Sequence, residues 1–91
     1  PNPAVTREQL VTILARYAAF KGADVSAEAD PDFPDVGQVS HYAMSAMAWA
    51  VERGLICGMD GKLSPKGTAS RAQFATVIMR FCEKILGEPG F

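Results

Sequence analysis

Nowhere in this sequence do apolar residues run for the roughly 20 positions that a transmembrane helix needs. No charged stretch leads into an apolar segment, so no signal-peptide pattern is present. Blocks of Lys and Arg are missing too: nine basic against ten acidic side chains leave a net charge of -1. Nucleic acid is thereby a poor partner, because phosphate binding needs clustered cations. Alternating apolar and polar positions, the mark of strands, are absent throughout. Histidine occurs once and cysteine twice, as Cys57 and Cys82. These are too few for a disulfide framework or a metal site. We read both as buried free thiols, with a single Cys57–Cys82 bridge as the alternative. Hydrophobic residues fill 48% of the 91 positions and charged residues 21%, an ordinary globular balance. That length allows one small domain with a limited core.

What the chain does have is an internal repeat. The segment 1–17, PNPAVTREQLVTILARY, aligns without a gap on 65–81, PKGTASRAQFATVIMRF. Arg7, Gln9, Thr12 and Arg16 meet their own kind at Arg71, Gln73, Thr76 and Arg80. Leu10, Ile13, Leu14 and Tyr17 meet Phe74, Val77, Ile78 and Phe81. Agreement of the polar and apolar registers together excludes chance. Both apolar sets follow i, i+3, i+4, i+7, which predicts amphipathic helices over 6–20 and 70–86. Thr6-x-x-Gln9 and Ser70-x-x-Gln73 are capping boxes, and Gly22 and Gly87 are natural stops.

A third helix is expected over 41–53, ended by Gly54. Its Ala43, Ala46, Ala48 and Ala50 suit close helix approach around Trp49, which we assign to the core rather than to sugar stacking. A short turn is expected at 33–38. The Asp-Gly signal of Asp60-Gly61 marks another, and residues 23–34 read as a connector. Asp30, Asp32 and Asp35 raise calcium, but an EF-hand loop starting at Asp30 would need glycine where Asp35 stands. His41, at a helix start, has no nucleophile or acid–base partner in a recognisable motif, so no catalytic residue is assigned. Glu52 and Glu83, beside Arg53 and Lys84, read as solvated surface.

Arg7 and Arg71 both fall on the first residue of a helix, the end where the dipole disfavours a cation. Helix stability therefore does not explain them. An anion would, because free amides and a planar guanidinium suit a carboxylate or phosphate. The competing explanation is an internal salt bridge to Asp35, and both can hold if the arginine bridges protein and ligand.

Five segments in order resemble one full S-layer homology repeat: Phe33-Pro34-Asp35-Val36, Ser40-His41-Tyr42-Ala43, Gly54-Leu55-Ile56-Cys57-Gly58, Asp60-Gly61-Lys62-Leu63-Ser64-Pro65 and Ser70-Arg71-Ala72-Gln73. Pro1 through Tyr17 resembles the back half of a preceding repeat. The resemblance implies an all-α fold of three main helices joined by long loops. It divides the chain into 1–22 (back half of one repeat), 23–32 (connector), 33–87 (full repeat) and 88–91 (tail). It also implies a secreted, non-catalytic module at the bacterial cell wall. Such modules usually carry three repeats in a pseudo-threefold assembly. They bind anionic, often pyruvylated, secondary polysaccharides linked to peptidoglycan, in grooves between repeats and without a cofactor or metal. Carried over by position, the ligand contacts are Arg71, Arg7, Asp35, Tyr42, Gly58 and Gln73. Tyr42 stands where the family has Trp, Ser70 where it has Thr, and Gln9 and Gln73 where it has Glu. These departures keep open a helical protein-interaction module that binds no glycan. The expected partners are the wall polymer and other repeats of the same kind, with neither nucleic acid nor membrane. The incomplete first repeat predicts a homo-oligomer or a domain swap through the 21–34 connector.

Overall fold

The computed structural model describes residues 5–56 and 61–87. Three α-helices carry the fold: α1 (Arg7–Phe20), α2 (Met44–Glu52) and α3 (Arg71–Phe81). Short 3₁₀ turns at Val36–Gln38 and His41–Ala43 precede α2, and a π-helical turn at Cys82–Leu86 extends α3. No strand occurs among the described residues, so the all-α expectation holds. The expected helices appear within a residue or so of their expected limits. The two differences are that 41–43 is wound as 3₁₀ and that the last turn of the third helix widens.

Local chemistry sets these limits. Thr6 Oγ1 accepts the Gln9 N–H at 3.2 Å while Gln9 Oε1 accepts the Thr6 N–H at 3.0 Å. Ser70 and Gln73 repeat the exchange at α3. Each box satisfies two amides that the first turn leaves without helical partners. α1 stops at Gly22, whose φ of 90° suits a residue without Cβ. There the Ala23 N–H reaches Ala18 O and the Gly22 N–H reaches Ala19 O, a Schellman closure. Gly54 closes α2 the same way, and the following Leu55 is turned inward and fully buried.

α2 is the centre of the molecule. Ala46, Met47, Ala48, Trp49 and Ala50 are all buried, so the middle of this helix is enclosed on every side, with Ser45 and Glu52 exposed at its ends. Its alanines let α1 approach closely, and the side α1 offers is the expected one only in part. Leu10, Val11, Leu14 and Ala18 are buried, whereas Ile13 and Tyr17 are 57% and 46% exposed. The periodicity leaves two adjacent apolar faces on α1, and the alanine surface of α2 takes the one containing Val11 and Ala18. Tyr17 keeps one aromatic contact, to Phe81 at 6.0 Å. Trp49 is fully buried and meets Phe81 edge-on at 6.4 Å, as the core assignment expected. α3 itself buries only Val77 and Phe81, leaving Phe74 and Met79 exposed.

Two long-range ties close the structure. Thr6 and Thr68 form an isolated antiparallel bridge, with the Arg7 N–H on Gly67 O and the Ala69 N–H on Val5 O. The connector is pinned by Glu52, whose carboxylate accepts the Glu28 and Ala29 N–H groups at 2.8 and 3.2 Å. Glu52 is therefore not idle surface. Its helix position lets an exposed carboxylate satisfy backbone donors of a segment with no helix of its own. Cys82 is half-buried and carries a free thiol, while Cys57 lies outside the described residues.

Candidate functional site

Arg7 opens α1 and Arg71 opens α3, as their capping boxes require. Their surroundings differ. Arg7 folds back against the segment before α3: Nη2 donates to Gln73 Oε1 at 2.8 Å and Nη1 to Ser64 O at 3.3 Å. The same Gln73 oxygen accepts the Ser70 N–H, so one side-chain amide links the start of α3 to the start of α1. The Arg71 side chain is exposed and makes no hydrogen bond or ion pair among the described residues.

Arg7 and Gln73 line a groove of about 300 Å³ between α1, the 61–70 segment and α3. Leu10, Leu55, Leu63 and Val77 give it an apolar floor, and Arg80 also lines it. An anionic group here would meet a guanidinium positioned by Ser64 O and Gln73 Oε1, with a low-dielectric floor behind it. Charge-assisted hydrogen bonds are strongest in such a setting.

Asp35 takes another role. The internal salt bridge weighed for it does not form. Its two oxygens accept the Leu63 and Ser64 N–H groups, each at 2.9 Å. Those bonds hold Ser64 at φ 49°, the left-handed region that non-glycine residues rarely enter. The Leu63 amide, opposed by burial and aided by the Ser64 amide and the Lys62 charge, keeps the Asp35 carboxyl below its ordinary value. Asp35 thus shapes the loop whose Ser64 carbonyl receives Arg7, and stands one step back from the groove.

Tyr42 is 54% exposed and does not line the groove. Its hydroxyl donates to Glu8 Oε2 at 3.2 Å. Loss of hydration, then the Glu8 charge, raises its pKa. Gly58 lies outside the described residues. Of the six expected contacts, then, the structure brings Arg7 and Gln73 together. It places Asp35 behind them, Tyr42 to another side and Arg71 at an open helix start.

Sequence reasoning missed Glu8. This carboxylate is 3% exposed, accepting the Ser40 N–H at 2.8 Å, the Ser40 hydroxyl at 2.7 Å and Lys66 Nζ at 3.0 Å besides Tyr42. Lys66 also reaches Ser40 Oγ. Burial alone would raise the Glu8 pKa, but the Ser40 amide and hydroxyl, Lys66 and Tyr42 together bring it below its ordinary value. One signal was available: Glu8 sits three and four residues before Val11 and Thr12, on their buried face, where its repeat counterpart is Ala72.

A model of the S-layer homology domain matches residues 32–75, the stretch that supplies Asp35, Ser64 and Gln73. That segment belongs to the S-layer homology family. Cell surface glycoprotein 1 of Acetivibrio thermocellus is 33% identical over 91 residues, covering 97% of this chain and 4% of that protein. The cellulosome-anchoring protein of the same organism is 30% identical over 86 residues, with 93% and 19% covered. Exoglucanase XynX, also from Acetivibrio thermocellus, is 32% identical over 89 residues, with 92% and 8% covered. The chain thus spans less than a fifth of the length of these curated relatives. The S-layer homology domain is a non-catalytic, cell-wall anchoring module of the bacterial surface. Among the described residues no helix is long and apolar enough to cross a membrane.

Proposed function

We propose that this S-layer homology module anchors its protein by holding an anionic, pyruvylated secondary wall polysaccharide in the groove beside Arg7. The observation that carries this reading is the Arg7 guanidinium, fixed by Ser64 O and Gln73 Oε1 over an apolar floor. A fixed planar cation loses little side-chain entropy on pairing with a carboxylate, and its fork selects that geometry. Arg71, exposed at the equivalent helix start, offers a second anion position that a neighbouring repeat would wall. The anchoring named for one Acetivibrio thermocellus relative agrees with the reading.

Retention on purified cell walls, before and after stripping of the non-peptidoglycan polymer, tests it. The chain is expected on intact walls and not on stripped ones. Arg7→Ala should weaken retention roughly tenfold or more, the worth of one charge-assisted hydrogen bond. Arg71→Ala should weaken it with little change in thermal midpoint, and lysine at either position should not restore it. Equal retention on stripped walls, or none on intact ones, would sink the reading.

A second reading, assembly with another copy, is favoured by the bare faces that the repeat reveals. Leu10 and Leu14 are 3% and 5% exposed beneath α2, yet their counterparts Phe74 and Ile78 on α3 are 43% exposed and half-buried. On α1, Phe20 is 84% exposed beside Ile13. A second copy of the chain, packed symmetrically or exchanging a helix through residues 21–34, would cover such faces. Sedimentation at high micromolar concentration is expected to show a dimer or larger species. A monomer there, with a two-state melt, would overturn it.

A further inference from the structure

Gly67 stands beside the groove without contributing a side chain to it. Its carbonyl accepts the Arg7 N–H at 3.0 Å, and its own N–H reaches Ser64 O at 3.0 Å. A Cβ built on Gly67 would fall inside the van der Waals envelope of Arg7 Nη1, with Arg7 Cζ at 3.6 Å and Ser64 O at 3.3 Å. Its backbone φ lies outside the left-handed region. A positive φ is therefore not what calls for glycine there. The demand comes from the arginine, whose guanidinium occupies the volume where a side chain would begin.

We propose that Gly67 is the positioning residue of this site: the space left by its missing side chain seats the Arg7 guanidinium at the groove. This inference rests on the assignment of Arg7 as the anion-binding group. With alanine at 67 the Ser64 carbonyl has to give only slightly, and the end of the long Arg7 side chain takes most of the displacement. Arg7 then swings away from Ser64 O and Gln73 Oε1, and the groove loses its oriented cation while the protein keeps its net charge. Affinity should suffer more than fold, because orientation rather than charge is removed.

The test is a double-mutant cycle on the full chain with Gly67→Ala and Arg7→Ala. Binding is read by titration with solubilised wall polymer, stability by thermal melting, and guanidinium placement by the Arg7 Nε–H resonance. Gly67→Ala is expected to weaken polymer binding by roughly tenfold, comparable to loss of one charge-assisted bond. Its helical circular dichroism should stay intact and the Arg7 Nε–H signal should shift. In the Arg7→Ala background the same glycine substitution should change neither binding nor midpoint, because the group it displaces is gone. Wild-type binding by Gly67→Ala, or an equal midpoint loss in both backgrounds, would overturn the assignment. The second outcome would show that Ser64 O, and not Arg7, needs the space. If the wild-type chain bound no polymer, the anchoring reading would fail. The stability cycle and the Arg7 resonance would still decide whether Gly67 seats the guanidinium.

Discussion

Glu8→Ala is expected to lower the thermal midpoint by about 10–20 °C, the shift that a loss of about 3 kcal/mol produces in a domain this small. The carboxylate is nearly buried, and removing it leaves the Ser40 N–H and hydroxyl without their acceptor. An unsatisfied buried donor costs more than the bond itself contributed. Lys66, whose side chain is 58% exposed, adds little to this sum. Thermal melts at neutral pH check the value, and a shift under about 3 °C would show that water replaces the carboxylate freely. The same group sets an acid limit. Because the folded-state pKa of Glu8 lies below its ordinary 4.5, its contribution is complete above that value. That contribution is lost as pH falls through the depressed folded value. Asp35, held below its ordinary 3.8, adds to the same limb. Stability should therefore fall on acidification below about pH 4.5, and less steeply in Glu8→Ala, which has already lost the Glu8 contribution.

Trp49→Ala is expected to cost about 3–5 kcal/mol, enough to unfold much of the population in a small domain. The effect should centre on α3. That helix buries only Val77 and Phe81, and Phe81 rests edge-on against the indole. Circular dichroism and hydrogen exchange should show α3 lost before α1, which keeps Leu10, Val11 and Leu14 against α2. Tyr17→Ala, removing a half-exposed ring, should cost far less. Equal protection lost across all three helices would mean that α3 has no separate dependence on Trp49. Wall retention reduced with unchanged stability would return Trp49 to the sugar-stacking role set aside above.

The helices were legible because their signals are short-ranged. A capping box spans four residues and an apolar stripe a few turns, so α1 and α3 could be placed from Thr6, Gln9, Ser70 and Gln73 alone. Which face of α1 would be buried was not legible. That choice depends on the alanine surface of α2, more than twenty residues away, and it selected Val11 and Ala18 over Ile13 and Tyr17. The same division runs through the site. Arg7 could be singled out from its unfavourable helix position, but its acceptors at Ser64 and Gln73 are set by tertiary closure. Asp35 could be recognised as special, yet its partners turned out to be backbone amides, which carry no residue identity for a sequence to display. Gly67 looked like any loop glycine until the guanidinium beside it was seen.

The ties that build the groove join positions 57 and 66 residues apart. The helices take their start and stop signals from local contacts, but the Arg7 bonds to Ser64 and Gln73 wait until most of the chain has looped back on itself. Loop-closure entropy must be met before these contacts reward it, so folding should be slow for a helical chain of this size. The groove is then expected to form late, which pulse-labelling hydrogen exchange during refolding would check. A polymer strand seated there touches both ends of the loop at once. Occupancy would act as a latch across the slowest contact in the molecule, lengthening the life of the folded state as well as tethering it.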